Sequence, residues 1–143
     1  MKRPTPVTRK PIDIDRVMAS VRDDSAGGTV VFLGTVRKKS EGKAVRGLTY
    51  EVYKEMAERK MGEIEAAVRE RWPVVGMAIV HRYGSLEVGE ISVVVAVSCE
   101  HRAEAFEACS YAIEAIKKSL PLWKKERFKG GDESWVKGSA IVK

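Results

Sequence analysis

The chain has 143 residues, 44% of them hydrophobic, enough for one domain with a sizeable core. No run approaches the roughly 20 apolar residues needed to span a bilayer, and the start, MKRPTPVTRKP, lacks the apolar segment of a secretory signal. The net charge of +6, from 26 Lys and Arg against 20 Asp and Glu, favours anionic partners: nucleic acid, phosphorylated small molecules or an acidic protein.

Residues 1–11 read as a loose arm or a short edge strand of a single domain spanning 1–143. From Asp13, a candidate N-cap, the spacing of Ile14, Val17, Met18 and Val21 predicts an amphipathic helix, with Gly27 as its stop after Ala26. Thr29–Val36 is apolar on both faces and reads as a strand covered on both sides, with Arg37 just past it. Lys38–Gly47, KKSEGKAVRG, is polar, basic and glycine-containing, and reads as a mobile loop. It could guide an anionic substrate, but the plainer reading, a solvated hairpin loop, weighs more. Leu48–Tyr53 alternates as a half-buried strand. A helix over about Lys54–Arg71 follows, with Ala57, Met61, Ile64 and Val68 as its buried stripe and Pro73 beyond its end. Met56 and Met61 read as core filler. Val74–Arg82 is predicted as a strand, Tyr83-Gly84-Ser85 as a turn, and His81 as a structural histidine. Ile91–Ser98 is a further strand, rich in β-branched residues.

The stretch from Ser98 to Glu126 carries the chemistry. His101 and Arg102 stand where a strand end turns into a helix, a place where backbone N–H groups bind anions. The predicted core stripe is Phe106, Cys109, Ile113, Ile116 and Leu120. Pro121 stops the helix, and Trp123, Lys124 and Lys125 are placed in the exit loop. Lys117 and Lys124 lie seven apart, and a compact exit loop would bring both amines to one pocket. Two nearby ammonium groups lower each other's pKa, so either could act as acid, base or covalent partner. On spacing alone, a solvated basic helix end weighs more. Lys117, Lys118, Lys124, Lys125, Arg127 and Lys129 crowd together with one acid, Glu126, and Arg37, Lys38, Lys39, Lys43 and Arg46 form a second basic cluster. Gly130-Gly131 reads as a flexible joint, and Ser134–Val142 as a last strand with Trp135 buried.

This stretch resembles the large, catalytic subunit of the molybdopterin synthase family. The resemblance rests on His101-Arg102, Ala105-Phe106, Ala108-Cys109, Ile116-Lys117 and Pro121-Leu122-Trp123-Lys124-Lys125-Glu126. It continues through Phe32-Leu33-Gly34-Thr35-Val36-Arg37, Tyr50-Glu51-Val52-Tyr53, Met56-Ala57, Arg71-Trp72, His81-Arg82-Tyr83-Gly84, Leu86, Gly89-Glu90 and Trp135-Val136. The resemblance implies a subunit that moves two sulfur atoms onto cyclic pyranopterin monophosphate. The sulfur would arrive as the C-terminal Gly-Gly thiocarboxylate of a small ubiquitin-like carrier subunit. It implies Lys117 and Lys124 as the functional lysines and Arg37, His101 and Arg102 as anion-binding residues. It also implies a homodimer within a heterotetramer, with a neighbouring subunit lending a basic residue to each pocket; Lys137 is a candidate for a late basic residue. The fold expected is α+β: a mixed or antiparallel sheet with two to three packed helices, hammerhead-like with a smaller sheet subdomain.

Other chemistries have less in the sequence to support them. The two His and two Cys match no metal-ligand spacing, and no GxGxxG, Walker A or Gly-x-Ser-x-Gly segment is present. No cofactor is expected. The two cysteines suggest free thiols in a reducing cytoplasm. Cys99, two residues before His101, is a candidate persulfide carrier, though a buried small hydrophobe is the commoner role. A basic nucleic-acid-binding module, stacking bases on Trp123 and Phe128, is the reading from another functional class.

Overall fold

A computed structural model describes residues 3–131 and 133–137. Among the described residues, two sheets and two of three helices share one principal core, and the remaining helix packs on a second, smaller cluster. One sheet has four strands in the order β1 (Val7–Thr8), β5 (Val74–Arg82), β7 (Ile91–Cys99), β2 (Gly28–Thr35). Strand β1 runs parallel to β5, so the arm contributes a short edge strand, and the other pairs are antiparallel. The second sheet joins β3 (Lys39–Ser40), β4 (Lys43–Val52), β8 (Leu122–Phe128) and β9 (Glu133–Lys137), with β6 (Gly84–Glu87) also on β4.

Strand β7 shows why an apolar run without alternation is stable here. Val93, Val95, Val97 and Cys99 face the principal core. Val94 and Ala96 face a second cluster built with Val17 and Val21 of α1 (Ile14–Val21). Helices cover both faces of the sheet, so each side chain of the strand leaves water. Helices α2 (Lys54–Arg71) and α3 (Arg102–Ser119) pack on the other face. The α+β architecture, helices packed on mixed and antiparallel sheets, is thus the one expected, but the second sheet, with five strands, is not the smaller one.

Helix α2 has the bounds and the buried residues expected of it, Ala57, Met61, Ile64 and Val68, but Met56 is exposed. Helix α1 is capped by Asp13, which accepts from Arg16 N–H at 3.1 Å, and ends at Val21, well before Gly27. So short a helix presents little more than Val17 and Val21 inward, and Met18 stays exposed. Strand β2 is an edge strand: Val30 and Phe32 pack on the principal core and Val31 on the second cluster, but Leu33 reaches solvent, so its second face is only partly covered. Lys38–Gly47 is a β-hairpin, its turn made by Glu41 and Gly42 at φ 50° and 81°. The segment after Tyr83 is strand rather than turn, because β4 offers an edge on which Gly84–Glu87 pairs.

Two corrections fall on the central stretch. Helix α3 buries Ala105, Ala108, Cys109, Ala112 and Ile116, while Phe106 is 61% exposed. Three alanines let the helix axis lie close to the sheet, which a Phe-led stripe would prevent. Trp123, Lys124 and Lys125 are not in a loop: β8 begins at Leu122, one residue after Pro121. Beyond the Gly130-Gly131 turn, at φ 107° and 93°, β9 covers the first part of the expected last strand. The remainder of that strand and the Trp135 side chain lie outside the described residues.

Candidate functional site

Strand direction sorts the candidate residues. Strand β7 runs from Ile91 to Cys99, and α3 turns back from there. Strand β2 is antiparallel to β7, pairing Gly28 with Cys99 and Thr35 with Ile91. Arg37, just past β2, and Lys117, in the last turn of α3, therefore lie toward the same end of the molecule. His101 and Arg102 lie at the other end. Fifteen helical rises separate Arg102 from Lys117, about 22 Å.

Strand β8 completes the near end. Its residues alternate in burial, with Leu122, Lys124, Glu126 and Phe128 inward. The antiparallel ladder sets Lys124 opposite Tyr50 and Glu126 opposite Leu48 of β4. Lys124 is only 6% exposed and Glu126 only 7%. Arg37, Lys39, Tyr50, Lys124 and Glu126 line one small cleft, together with Val36, Val45 and Leu48. Burial pushes the Tyr50 hydroxyl up to about 12, so it stays protonated at neutral pH. The arrangement suits an anion: amine and guanidinium groups line a largely polar cleft, with a single carboxylate among the described lining residues. Glu126 and Tyr50 were not singled out from sequence as site residues. The signal for Glu126 was its place two after Lys124, on the same strand face; for Tyr50 it was the inward phase of Leu48, Tyr50 and Val52.

Within one protomer the five expected site residues do not converge. Arg37 and Lys124 share the cleft. Lys117 is half-buried at the helix end. His101 and Arg102 are exposed, and the His101 ring contacts Glu100 at 3.3 Å. His101 occupies the N-cap position of α3 without a side-chain cap bond. Gly27 and Gly28 let β2 start tightly beneath this turn; a Cβ at Gly27 would sit 2.3 Å from Glu100 O, and one at Gly28 3.3 Å from Arg102 Cα.

The remaining candidates have structural settings. His81 is fully buried; its Nδ1–H donates to Arg82 O at 2.8 Å, its ring meets Tyr50 edge-on at 5.2 Å, and burial lowers its pKa to about 4. Cys99 is fully buried and burial raises its thiol pKa, whereas His101 points to solvent. The two therefore do not form a thiolate–imidazole pair. Phe128 is buried with Lys43 5.5 Å above its ring, and Trp123 packs edge-on against Tyr53 at 5.2 Å. Neither arrangement is an open platform for bases. Among the described residues, no three His, Cys, Asp or Glu side chains converge as metal ligands, and no helix is long and apolar enough to cross a membrane.

The sequence profile of the MoaE protein family matches residues 7–119, most of the chain. This chain belongs to the MoaE family. Its relatives include the molybdopterin synthase catalytic subunit of Nostoc sp., 43% identical over 131 residues, covering 91% of this chain and 79% of the relative. Another is the molybdopterin synthase catalytic subunit of Pyrococcus abyssi, 44% identical over 138 residues, covering 95% and 93%. The crystal structure of molybdopterin synthase from Staphylococcus aureus superposes with a TM-score of 0.87 at 38% identity, covering 92% of this chain and 96% of that one. A Helicobacter pylori chain, from a complex of subunits 1 and 2 of molybdopterin-converting factor, shares the fold, with a TM-score of 0.72 at 19% identity.

The MoaE profile takes in Arg37, His101, Arg102 and Lys117 but stops short of β8. The Pyrococcus abyssi relative, aligned over 95% of the chain, extends the likeness through Lys124 and Glu126.

Proposed function

We propose that this chain works as the catalytic subunit of a molybdopterin synthase, with the cleft of Arg37, Tyr50, Lys124 and Glu126 as the place where sulfur is inserted. The observation that carries this reading is a buried lysine beside an arginine in a cleft of MoaE-family topology. The substrate is cyclic pyranopterin monophosphate, and the sulfur donor is the C-terminal Gly-Gly thiocarboxylate of a small ubiquitin-like subunit. Support for such a partner comes from the two-subunit complex of the Helicobacter pylori protein.

Lys117 and Lys124 bind the thiocarboxylate and move protons as its sulfur bonds to the pterin; the C–S bond of the tail then breaks and the acyl carbon passes to water, directly or through transient capture on a lysine amine. A cation held out of bulk water stabilises the carboxylate that develops on the departing tail. Arg37 supplies a planar fork for the phosphate. His101 and Arg102, about 22 Å along α3, act at the cleft of a neighbouring protomer in a homodimer, itself half of a heterotetramer. Their uncapped helix start suits the same anion.

The test is reconstitution: this protein, a thiocarboxylated carrier and the cyclic pyranopterin are mixed and dithiolene is assayed. Lys117→Ala and Lys124→Ala should each cut turnover sharply with the fold intact. Parent-level turnover in both variants would end the lysine assignment.

A further inference from the structure

The cleft is nearly closed. It encloses about 20 Å³, room for a single water molecule. A pterin phosphate is far larger, so one wall has to yield before it enters. Strands β4 and β8 form firm walls: their ladder runs from Val45–Phe128 to Val52–Leu122, and Leu48, Tyr50, Lys124 and Glu126 are all buried along it. The wall opposite is thin. Strand β3 has two residues, pairs only with β4 through Lys39–Ala44 and Ser40–Lys43, and leaves its other edge open. One further bond ties its approach, from Val45 N–H to Lys38 O at 2.8 Å. Its turn residues, Glu41 and Gly42, are exposed.

Two cations ride on this thin wall. Arg37 and Lys39 both line the cleft, whereas Lys38, between them in sequence, does not. Neither Arg37 nor Lys39 is ion-paired with a carboxylate among the described residues. The other charged lining groups are Lys124 and Glu126, so cations outnumber carboxylates in the described lining. Lysine suits a wall that moves: its long flexible stem can follow an oxyanion as the wall gives way, and its ammonium needs no fixed bidentate geometry.

We propose that Lys39 is a substrate-binding residue: its ammonium joins the Arg37 guanidinium on the phosphate of the pterin, from the wall that yields to admit it. This rests on the sulfur-insertion reading for the identity of the ligand, but not for the capture of a phosphate group. Lys124, on the opposite wall, is left for the carboxylate of the carrier tail.

The parent, Lys39→Ala, Lys39→Arg and Lys38→Ala would each be titrated with inorganic phosphate and, separately, with a peptide ending in Gly-Gly. The amides of Ser40, Val45 and Leu48, which border the cleft, are followed by NMR, so that binding elsewhere is not counted. Because Lys39 is exposed, its charge is partly screened. Phosphate affinity in Lys39→Ala should fall by about five- to tenfold, and the peptide's by less than about twofold. Lys39→Arg should restore phosphate binding, and Lys38→Ala, which removes the same charge outside the cleft, should leave it at the parent level. In the dithiolene assay, Lys39→Ala should raise KM for the cyclic pyranopterin by a similar factor with kcat nearly unchanged. Parent-level phosphate affinity in Lys39→Ala, an equal loss in Lys38→Ala, a loss confined to the peptide, or a parent that takes up no phosphate at the cleft would each overturn the proposal. The titrations need no turnover, so a parent protein inactive in the dithiolene assay would count against sulfur insertion and leave Lys39 to be decided by phosphate.

Discussion

Lys124 and Glu126 project from one face of β8, two positions apart, into a cleft where Glu126 is the sole carboxylate among the described lining residues. Two residues of extended chain span about 6.7 Å. The opposite charge at that range favours the protonated amine, while nearby Arg37 and Lys39 oppose it. Glu126→Gln leaves the shape and removes the charge. It should destabilise the fold by about 1 to 3 kcal/mol and lower the titration midpoint of the Lys124 amine. Urea denaturation and the amine titration are the two readouts; parent values in both would show that Glu126 has no electrostatic part in the cleft.

Placing His101 and Arg102 at a neighbour's cleft makes a quantitative prediction. Lys124→Ala and Arg102→Ala protomers, each inactive alone, should complement when co-expressed. Random pairing makes half the dimers mixed, and each mixed dimer holds one intact cleft, so about a quarter of parent activity should return. No recovery in isolated mixed dimers would confine each site to a single protomer.

His81 makes stability acid-sensitive in a defined window. Its folded pKa, about 4, lies below the ordinary 6.5. Between those values the unfolded chain binds a proton that the folded chain does not, so stability falls as pH drops from 6.5 toward 4. The loss reaches up to about 3 kcal/mol and levels off below pH 4. Urea midpoints of the parent and His81→Leu, compared at pH 7 and pH 4.5, check this. The variant should lose distinctly less stability on acidification than the parent.

Cys99→Ala should retain full dithiolene turnover. Its thiol is buried, and burial raises its pKa, so it is a packing group and a poor sulfur carrier. The expected cost is about 1 kcal/mol of stability, seen as a lower denaturation midpoint. Turnover lost from a folded Cys99→Ala protein would revive a persulfide route.

The sequence was most legible where one periodic stripe met one partner. Helix α2 has such a stripe, and Pro73 lies two residues past its last residue, Arg71. Strand β7 was legible because a run of β-branched residues suits a sheet covered on both faces. Helix α3 misled because hydrophobicity draws the eye to Phe106, whereas close approach to the sheet selects Ala105, Ala108 and Ala112. Strand β8 was hidden by its charges: LWKKERF alternates in burial but not in polarity, since Lys124 and Glu126 occupy inward positions. Arg37 and Lys124 could be named from the family resemblance. That they share a cleft depended on β4 pairing with β8, about 75 residues apart in sequence, which no local pattern encodes.

Helix α3 also works as a gauge. Its rigid length sets how far the His101-Arg102 end stands from Lys117. One inserted residue would turn one end about 100° against the other and add about 1.5 Å. A four-residue insertion would nearly restore the angle but lengthen the rod by about 6 Å. Both ends can therefore drift in surface chemistry, while the number of residues between them is held by the spacing of whatever the two ends grip.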